Sequence, residues 1–275
     1  MSEFRSLLLK TLAERGFVHR CTDAEGLDSA LADRPVAAIQ RFDAPEGLHA
    51  GHLIQIMSLR WAQRCGHKPV ILVVGGGAGH RPGLSRYLAF GDGPTDAVLV
   101  DLGDSLDAPI PAAAVAPDPS RGNGSVLRLG GSDRWDTLAE ETALARRTDP
   151  RPQFSLATPR LPNPVRTRTR AGAEGPVWLS AERLSPTAFR QAWLQVRDDD
   201  VARFLRLFTD LPLPETRRLG RLAGAALSEA KETLADAVTR LARGDAAART
   251  AKEPAHGVGA EGFGGVDATA QVEAA

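Results

Sequence analysis

The sequence predicts an α/β fold: a parallel sheet wrapped by helices, followed by a small all-helical region. Three features carry that prediction. Short, fully apolar runs alternate with amphipathic helical stretches. Two of those runs end in glycine clusters, "GGGAG" at Gly75–Gly79 and "GG" at Gly130–Gly131. Past Ser185 the strand-like runs stop and helical patterns follow one another. The 275 residues therefore divide into a sheet domain over 1–175, a helical domain over 176–243 and a disordered tail over 244–275.

Each element has its own signal. Phe4–Glu14 places Leu7, Leu8, Leu9 and Leu12 at helical spacing, and Asp23–Ala32 reads as a second, short helix. "VAAIQRF", within Pro35–Phe42, predicts a strand. His52–Cys65 has an apolar face of Leu53, Ile56, Met57, Leu59 and Trp61, and Gly66 stops it. "PVILVV" at Pro69–Val74 predicts a buried parallel strand, and "DAVLVD" at Asp96–Asp101 another. Ala108–Gly124 is rich in Pro, Ala and Gly without a period and reads as a loop. Val126–Leu129 restores a strand, and Asp133–Arg147 a helix. Asn163–Gly175 reads as a basic loop. Helices are then expected at Leu184–Gln195, Asp199–Phe208, Glu215–Ala225 and Ser228–Arg243, the first capped by Ser185 with Pro186 at its first position. From Gly244 the residues are Ala, Gly and small polar types, a composition that does not bury a core.

Composition narrows the function classes. Lys+Arg and Asp+Glu are both 34, so any nucleic-acid site must be a local patch. Cys21 and Cys65 form neither a metal-ligand spacing nor a disulfide framework, and a reducing, cytoplasmic setting is expected. There is no apolar signal core and no run of membrane-spanning length.

The stretch "EGLHAGHLIQI" sets His49 and His52 where a loop becomes a helix. A helix start offers exposed backbone N–H groups to an anion, and Ala50 and Gly51 leave room for one. Two imidazoles there can donate to phosphate oxygens. The same letters also read as one exposed and one helix-capping histidine.

The wider run "FDAPEGLHAGHLIQIMSLRWAQRCGHKPVILVVGGGAG" resembles the first half of the catalytic domain of bacterial tyrosyl-tRNA synthetases. "FGDGPTDAVLVD", "GGSDRW", "GPVWLSAERLSP" and "DVARFLRLFTDLPL" resemble the same family in the same order, so the likeness runs from about Phe4 to Arg243. It implies a class I synthetase with a Rossmann-like catalytic domain. Such enzymes join tyrosine to ATP, with Mg2+, as an adenylate and pass the tyrosyl group to tRNA. The resemblance assigns His49 and His52 to the triphosphate, and Asp43 to the amino group of tyrosine and the nucleotide. Gly51 would allow adenine or ribose to approach. Gly130, Gly131 and Asp133 match a second nucleotide element, with Asp133 on the ribose hydroxyls. Ser132 or Asp133 also reads as a helix N-cap.

The departures from that family are as specific. Its Y-x-G-F-D tyrosine is Ile39 here, and its glycine is Arg41. Losing a hydroxyl partner weakens phenol recognition. Arg41 either stands where backbone should approach the ligand or turns to solvent from a rearranged loop. The aspartate expected after "GGG" is missing from "AGHRPGLSRY". The Tyr-x-x-x-Gln-x-x-Asp element, and the dimer-interface segment around it, has no counterpart before "GGSD". The glutamine after that motif is Arg134. At the KMSKS position, Arg168 replaces the first lysine and Ala171 the second, and Arg166, Arg168 and Arg170 make a basic loop. Relatives carry a C-terminal RNA-binding module where this chain has its tail. Trp61, Trp135, Trp178 and Trp193 read as core.

Four functions follow. One is a tyrosine–tRNA ligase with an impaired pocket, in which Arg168 joins His49 and His52 in catalysis. Another is a non-catalytic binder of nucleotide or RNA. A third is an adenylate-forming enzyme for another amino acid, Ile39 suiting a more apolar one. The last is a decaying paralogue.

Overall fold

The computed structural model describes residues 4–74, 77–103, 124–161, 165–168 and 174–252. Helix α1 (Leu7–Arg15) begins at Ser6, whose hydroxyl accepts from the Leu9 N–H. It ends at Gly16, where a φ of 89° suits glycine. Strand β1 (Arg20–Cys21) precedes α2 (Ala24–Asp33), which Asp23 caps. Strand β2 (Ala37–Asp43) leads through a 3-10 turn (Ala50–His52) into α3 (Leu53–Arg64). Gly66 follows with φ of 87°, the expected stop. Then come β3 (Lys68–Val74), the short α4 (Arg81–Leu84), β4 (Val98–Asp101), β5 (Val126–Gly131) and α5 (Trp135–Thr148).

The sheet order is β1-β6-β5-β2-β3-β4, β6 being Gln153–Thr158. All pairings are parallel except that of β1 with β6. The chain thus winds outward from β2 to β4, then returns to β5 on the other side of β2. That reversal is the topological switch point of a doubly wound sheet, the place where such folds bind ligands beyond the strand ends.

Strand β6 is the element that the sequence pattern misses. Ser155 and Thr158 interrupt its apolar run, yet both are fully buried. Their hydroxyls are satisfied: Ser155 Oγ donates to the Leu138 carbonyl at 3.2 Å and Thr158 Oγ1 to the Gly130 carbonyl at 3.2 Å. The basic loop expected over 163–175 is also corrected. Strands β7 (Arg166–Arg168) and β8 (Glu174–Pro176) pair antiparallel there. Most of the Pro/Ala loop, 108–123, lies outside the described residues.

Alternate residues of β2 feed two cores. Ala38 and Phe42 join the large cluster that includes Leu53, Ile56 and Met57 of α3. Ala37 and Ile39 join a smaller one with Val70, Leu72, Val74 and Val126. The large cluster runs on without a break into α6 (Pro186–Leu194), α7 (Asp198–Phe208) and α9 (Leu227–Arg243), with α8 (Leu213–Leu219) alongside. Ser185 caps α6 with Pro186 at its first position, as the sequence predicts. Trp193 centres this part, with its ring 5.3 Å from Phe208 and 6.1 Å from Phe204. Arg15 ties the two parts together, donating to the carbonyls of Arg206, Thr209 and Leu211.

The disordered tail expected from Gly244 is corrected over its first residues, and 253–275 lie outside the described residues. Asp245–Thr250 form a further helix, α10, whose Ala248 is buried together with the adjoining Ala251. Small residues permit that close packing. Among the described residues no helix is long and apolar enough to cross a membrane.

His67, just before β3, makes acid stability testable. Its ring is 4% exposed, and its Nδ1 accepts from the Val36 N–H at 3.2 Å. Burial pushes its pKa down from 6.5 to about 4. The fold therefore holds the ring neutral, and the stabilisation is complete above pH 6.5 and lost as pH falls towards 4. Wild type should lose on the order of 3 kcal/mol more than His67→Asn over that window. Parallel melting curves for the two proteins from pH 7 to pH 4 would contradict this.

Candidate functional site

The switch point between β2 and β5 opens into a cleft of about 320 Å³. Its wall carries Asp43, Gly51, His52, Gly130, Gly131 and Asp133. Six residues scattered over ninety positions of sequence thus meet at the carboxyl ends of two adjacent strands. A second cavity of about 310 Å³ adjoins it, sharing Gly51, Gln55, Gly131 and Asp133 and reaching Arg160 and Phe208.

The two histidines form a reciprocal cap. Nδ1 of His49 accepts from the Gly51 N–H at 3.0 Å, and Nδ1 of His52 accepts from the His49 N–H at 3.2 Å. Two of the orphan donors at the start of the turn are thereby satisfied. The bonds also fix the tautomers: a neutral ring that accepts at Nδ1 carries its proton on Nε2. The rings lie with centroids 4.1 Å apart, tilted by 39°, and of the two it is His52 that lines the cleft. Phe42 meets His52 edge-on at 5.8 Å. Burial, and then the neighbouring His49 and His80, push the His52 pKa down to about 4; burial lowers that of His49 as well. Both are neutral donors at pH 7. Both rings therefore cap the turn and neither is exposed, which corrects the reading of one exposed and one capping histidine.

Gly51 has a reason that the sequence does not display. A Cβ there would stand 2.7 Å from Cε1 of His49, so glycine is what lets the imidazole fold back over the turn. At Gly130 a Cβ would meet Leu138 at 2.7 Å, so glycine there allows α5 to approach the sheet. Neither Ser132 nor Asp133 is the cap of α5. A 3-10 turn, Ser132–Arg134, precedes the helix, and no side chain caps either element. Asp133 is exposed at the cleft instead.

A brace holds the histidine turn from outside. The Ala50 N–H donates to Val177 and the Leu179 N–H to Leu48, so the turn is stitched to the segment after β8. Trp178 is half-buried with its ring 5.9 Å from His49, and Arg183 stacks on it at 3.6 Å. This corrects the reading of all four tryptophans as core. Trp61 and Trp193 are buried, whereas Trp135 and Trp178 are half-exposed.

Matches with known proteins follow the same lines. Residues 117–256 match the family described as tRNA synthetases class I (W and Y). The tyrosine–tRNA ligase of Caulobacter vibrioides is 36% identical over 92% of this chain and 77% of its own length. The chain belongs to the tyrosyl-tRNA synthetase family. The tyrosine–tRNA ligase of Rhodospirillum rubrum is 36% identical to this synthetase-family chain over 95% of it and 79% of the relative. The C-terminally truncated mitochondrial tyrosyl-tRNA synthetase of Coccidioides posadasii shares the fold, with a TM-score of 0.65 at 20% identity over 89% and 90% of the two chains. The Caulobacter match spans 322 positions, more than the 275 residues present here, so the relative carries internal segments that this chain lacks.

Two residues that the sequence singles out as departures stand in the cleft. Ile39 and Arg41 both line it. Arg41 lies within β2 itself, not in a rearranged loop turned to solvent. Arg134 lies at its exposed rim. Further lining residues went unread in the sequence: Gln55 one turn beyond His52, Arg128 in β5, and Thr137 and Glu141 on α5. The signals were present, since Arg134, Thr137, Leu138 and Glu141 repeat at helical spacing and Arg128 is a charge inside an apolar strand. Arg168 lies in β7, and its side chain is outside the described residues.

Proposed function

We propose that this chain binds ATP across the two adjoining cavities and uses it to activate an amino acid as its adenylate for transfer to tRNA. The reciprocal cap carries this reading. It leaves the neutral His52 ring with an Nε2–H donor on the wall of the first cavity, beside the Gly51 that both cavities share, and the neutral His49 ring against it. In the reaction, a carboxylate oxygen of the amino acid attacks the α-phosphorus of ATP. The bond from that phosphorus to the bridging oxygen breaks, and pyrophosphate leaves with the electron pair. His52 donates to the phosphate oxygens as that charge grows, and the family resemblance assigns His49 to the same triphosphate, an electrostatic role with no proton transfer. Asp133 accepts from the ribose hydroxyls, Gly130 and Gly131 let the nucleotide close on the backbone, and Asp43 receives the ammonium of the amino acid. The family resemblance alone gives Arg168 a role at the leaving phosphates. A ribose hydroxyl at the tRNA terminus then attacks the adenylate carbonyl and releases AMP.

Mg2+ would arrive with ATP. Such an ion is held chiefly by phosphate oxygens and water. Arg41 on the cleft wall favours a substrate other than tyrosine, or nucleotide binding without activation.

ATP–pyrophosphate exchange with each of the twenty amino acids tests the proposal. Exchange with an amino acid other than tyrosine is the expected result. Exchange with tyrosine at the rate of an ordinary ligase would show that the altered wall does not matter. No exchange with any amino acid, from folded protein that binds ATP, would leave the binding module.

A further inference from the structure

We propose that Gln55 works with Asp133 as a clamp on a sugar hydroxyl, and that this clamp selects ribonucleotides over their deoxy forms. This rests on the ATP-binding reading above and names the residue that reads the sugar. The two cavities meet at a throat, because Gly51, Gln55, Gly131 and Asp133 line both of them. Two of the four are glycines, so the side chains that a ligand meets there are those of Gln55 and Asp133.

Helix phase turns Gln55 to the throat. It is the third residue of α3, and Leu53, Ile54, Ile56 and Met57 on either side of it are buried. Gln55 itself is half-buried. Asp133 comes from the facing element, the 3-10 turn that follows β5. A Cβ on Gly131 would clash with Oδ1 of Asp133 and stand 3.6 Å from Nε2 of Gln55. The two polar heads therefore flank the same bare stretch of backbone. Neither side chain has a hydrogen-bond or ion-pair partner among the described residues.

A carboxylate only accepts hydrogen bonds, and an amide N–H only donates. Side by side they complement a group that does both. A hydroxyl is such a group: its O–H donates to Asp133 while its oxygen accepts from Nε2 of Gln55. A phosphate only accepts, and Asp133 repels it. An ammonium only donates, and it leaves the amide N–H unmet. The throat therefore suits the sugar of a nucleotide and not its phosphates. The flanking walls agree. The second cavity carries Ile54, Leu161, Val165 and Phe208, an apolar lining for a base. The first carries His52, whose ring can donate to phosphate oxygens. A sugar that lacks the hydroxyl leaves a donor and an acceptor of the site unpaired together, which is a strong ground for rejection.

The test is calorimetric titration of the whole chain, with Mg2+, against ATP, 2′-deoxy-ATP, 3′-deoxy-ATP and ITP. ATP should bind about tenfold more tightly than at least one of the two deoxy forms. Gln55→Leu keeps the bulk and the helix preference of the residue, and should shrink that ratio to about twofold by weakening ATP. Gln55→Glu keeps the shape but loses the N–H donor, so it should shrink the ratio as far. Melting curves confirm that each variant is folded. A glutamine with a structural role alone would weaken ATP and its deoxy forms alike, so a ratio that survives both variants overturns the proposal. So does a wild type that binds ATP and both deoxy forms equally. Variants that change the ratio of ATP to ITP and leave the sugar ratio intact would assign Gln55 to the base, and would overturn it too. Adenosine and its two deoxy forms are titrated alongside. Protein that binds ATP without a sugar ratio dependent on Gln55 refutes this assignment alone. Protein that prefers adenosine to a deoxy form but does not bind ATP refutes the adenylate reading and leaves the clamp standing. Folded protein that binds neither refutes both.

Discussion

His52→Ala is expected to slow adenylate formation by about 100–1000-fold, the usual cost of one aimed donor at developing charge. The variant also removes the acceptor of the His49 N–H, which costs about 1 kcal/mol of stability as for other lost caps. His52→Asn separates the two effects. Its Oδ1 can accept near where Nδ1 did, so the cap and the melting temperature should be kept. No donor then reaches as far as Nε2, so the rate should stay as low as in the alanine variant. Pyrophosphate exchange on whichever amino acid the wild type activates gives the rates. An asparagine variant that exchanges at the wild-type rate would show that the histidine is a cap and nothing more. The pH profile should agree. Protonating either ring at Nδ1 would break its bond to a backbone N–H, and the His52 pKa is already pushed down to about 4. These histidines should therefore impose no rate change between pH 6 and pH 8.

The sheet was legible because its strands are short apolar runs, two of them closed by glycines, and β2, β3, β4 and β5 lie where those runs predict. Strand β6 was not, because the cues for its burial lie elsewhere in the chain. Ser155 and Thr158 look exposed until Leu138 and Gly130 supply their acceptors. One side of the cleft was legible as spaced motifs, since Gly51, His52, Gly130 and Asp133 lie in or beside local turns. The other side is made by register and helix phase. Arg128 faces Ile39 only because β5 pairs with β2, and Glu141 joins them only because Gly130 lets α5 come close. Gly51 is the instructive case. Read as room for a ligand, it is equally room for the ring of His49.

Arg243→Met should cost about 3 kcal/mol and lower the melting temperature by about 6–12 °C. The side chain is 6% exposed at the end of α9, and no acidic residue pairs with it among the described residues. Its head group donates to the carbonyls of Trp178, Leu179, Ser180 and Leu184 and lies 4.4 Å from the Phe189 ring. Removing the guanidinium regains its own hydration but leaves these carbonyls without a donor, and the second term is the larger. Lysine carries one compact ammonium that cannot span a fork of carbonyls, so Arg243→Lys should fall between the two. The consequence for the site is specific. The segment that Arg243 gathers is the one that receives the Ala50 N–H, donates to Leu48 and sets Trp178 against His49. Loosening it should free the His49 turn, so ATP affinity should drop at temperatures where the variant is still folded. A loss of stability with unchanged ATP affinity would mean that α9 only supports the core. A fall in both would mean that the last long helix holds the phosphate end of the cleft in shape.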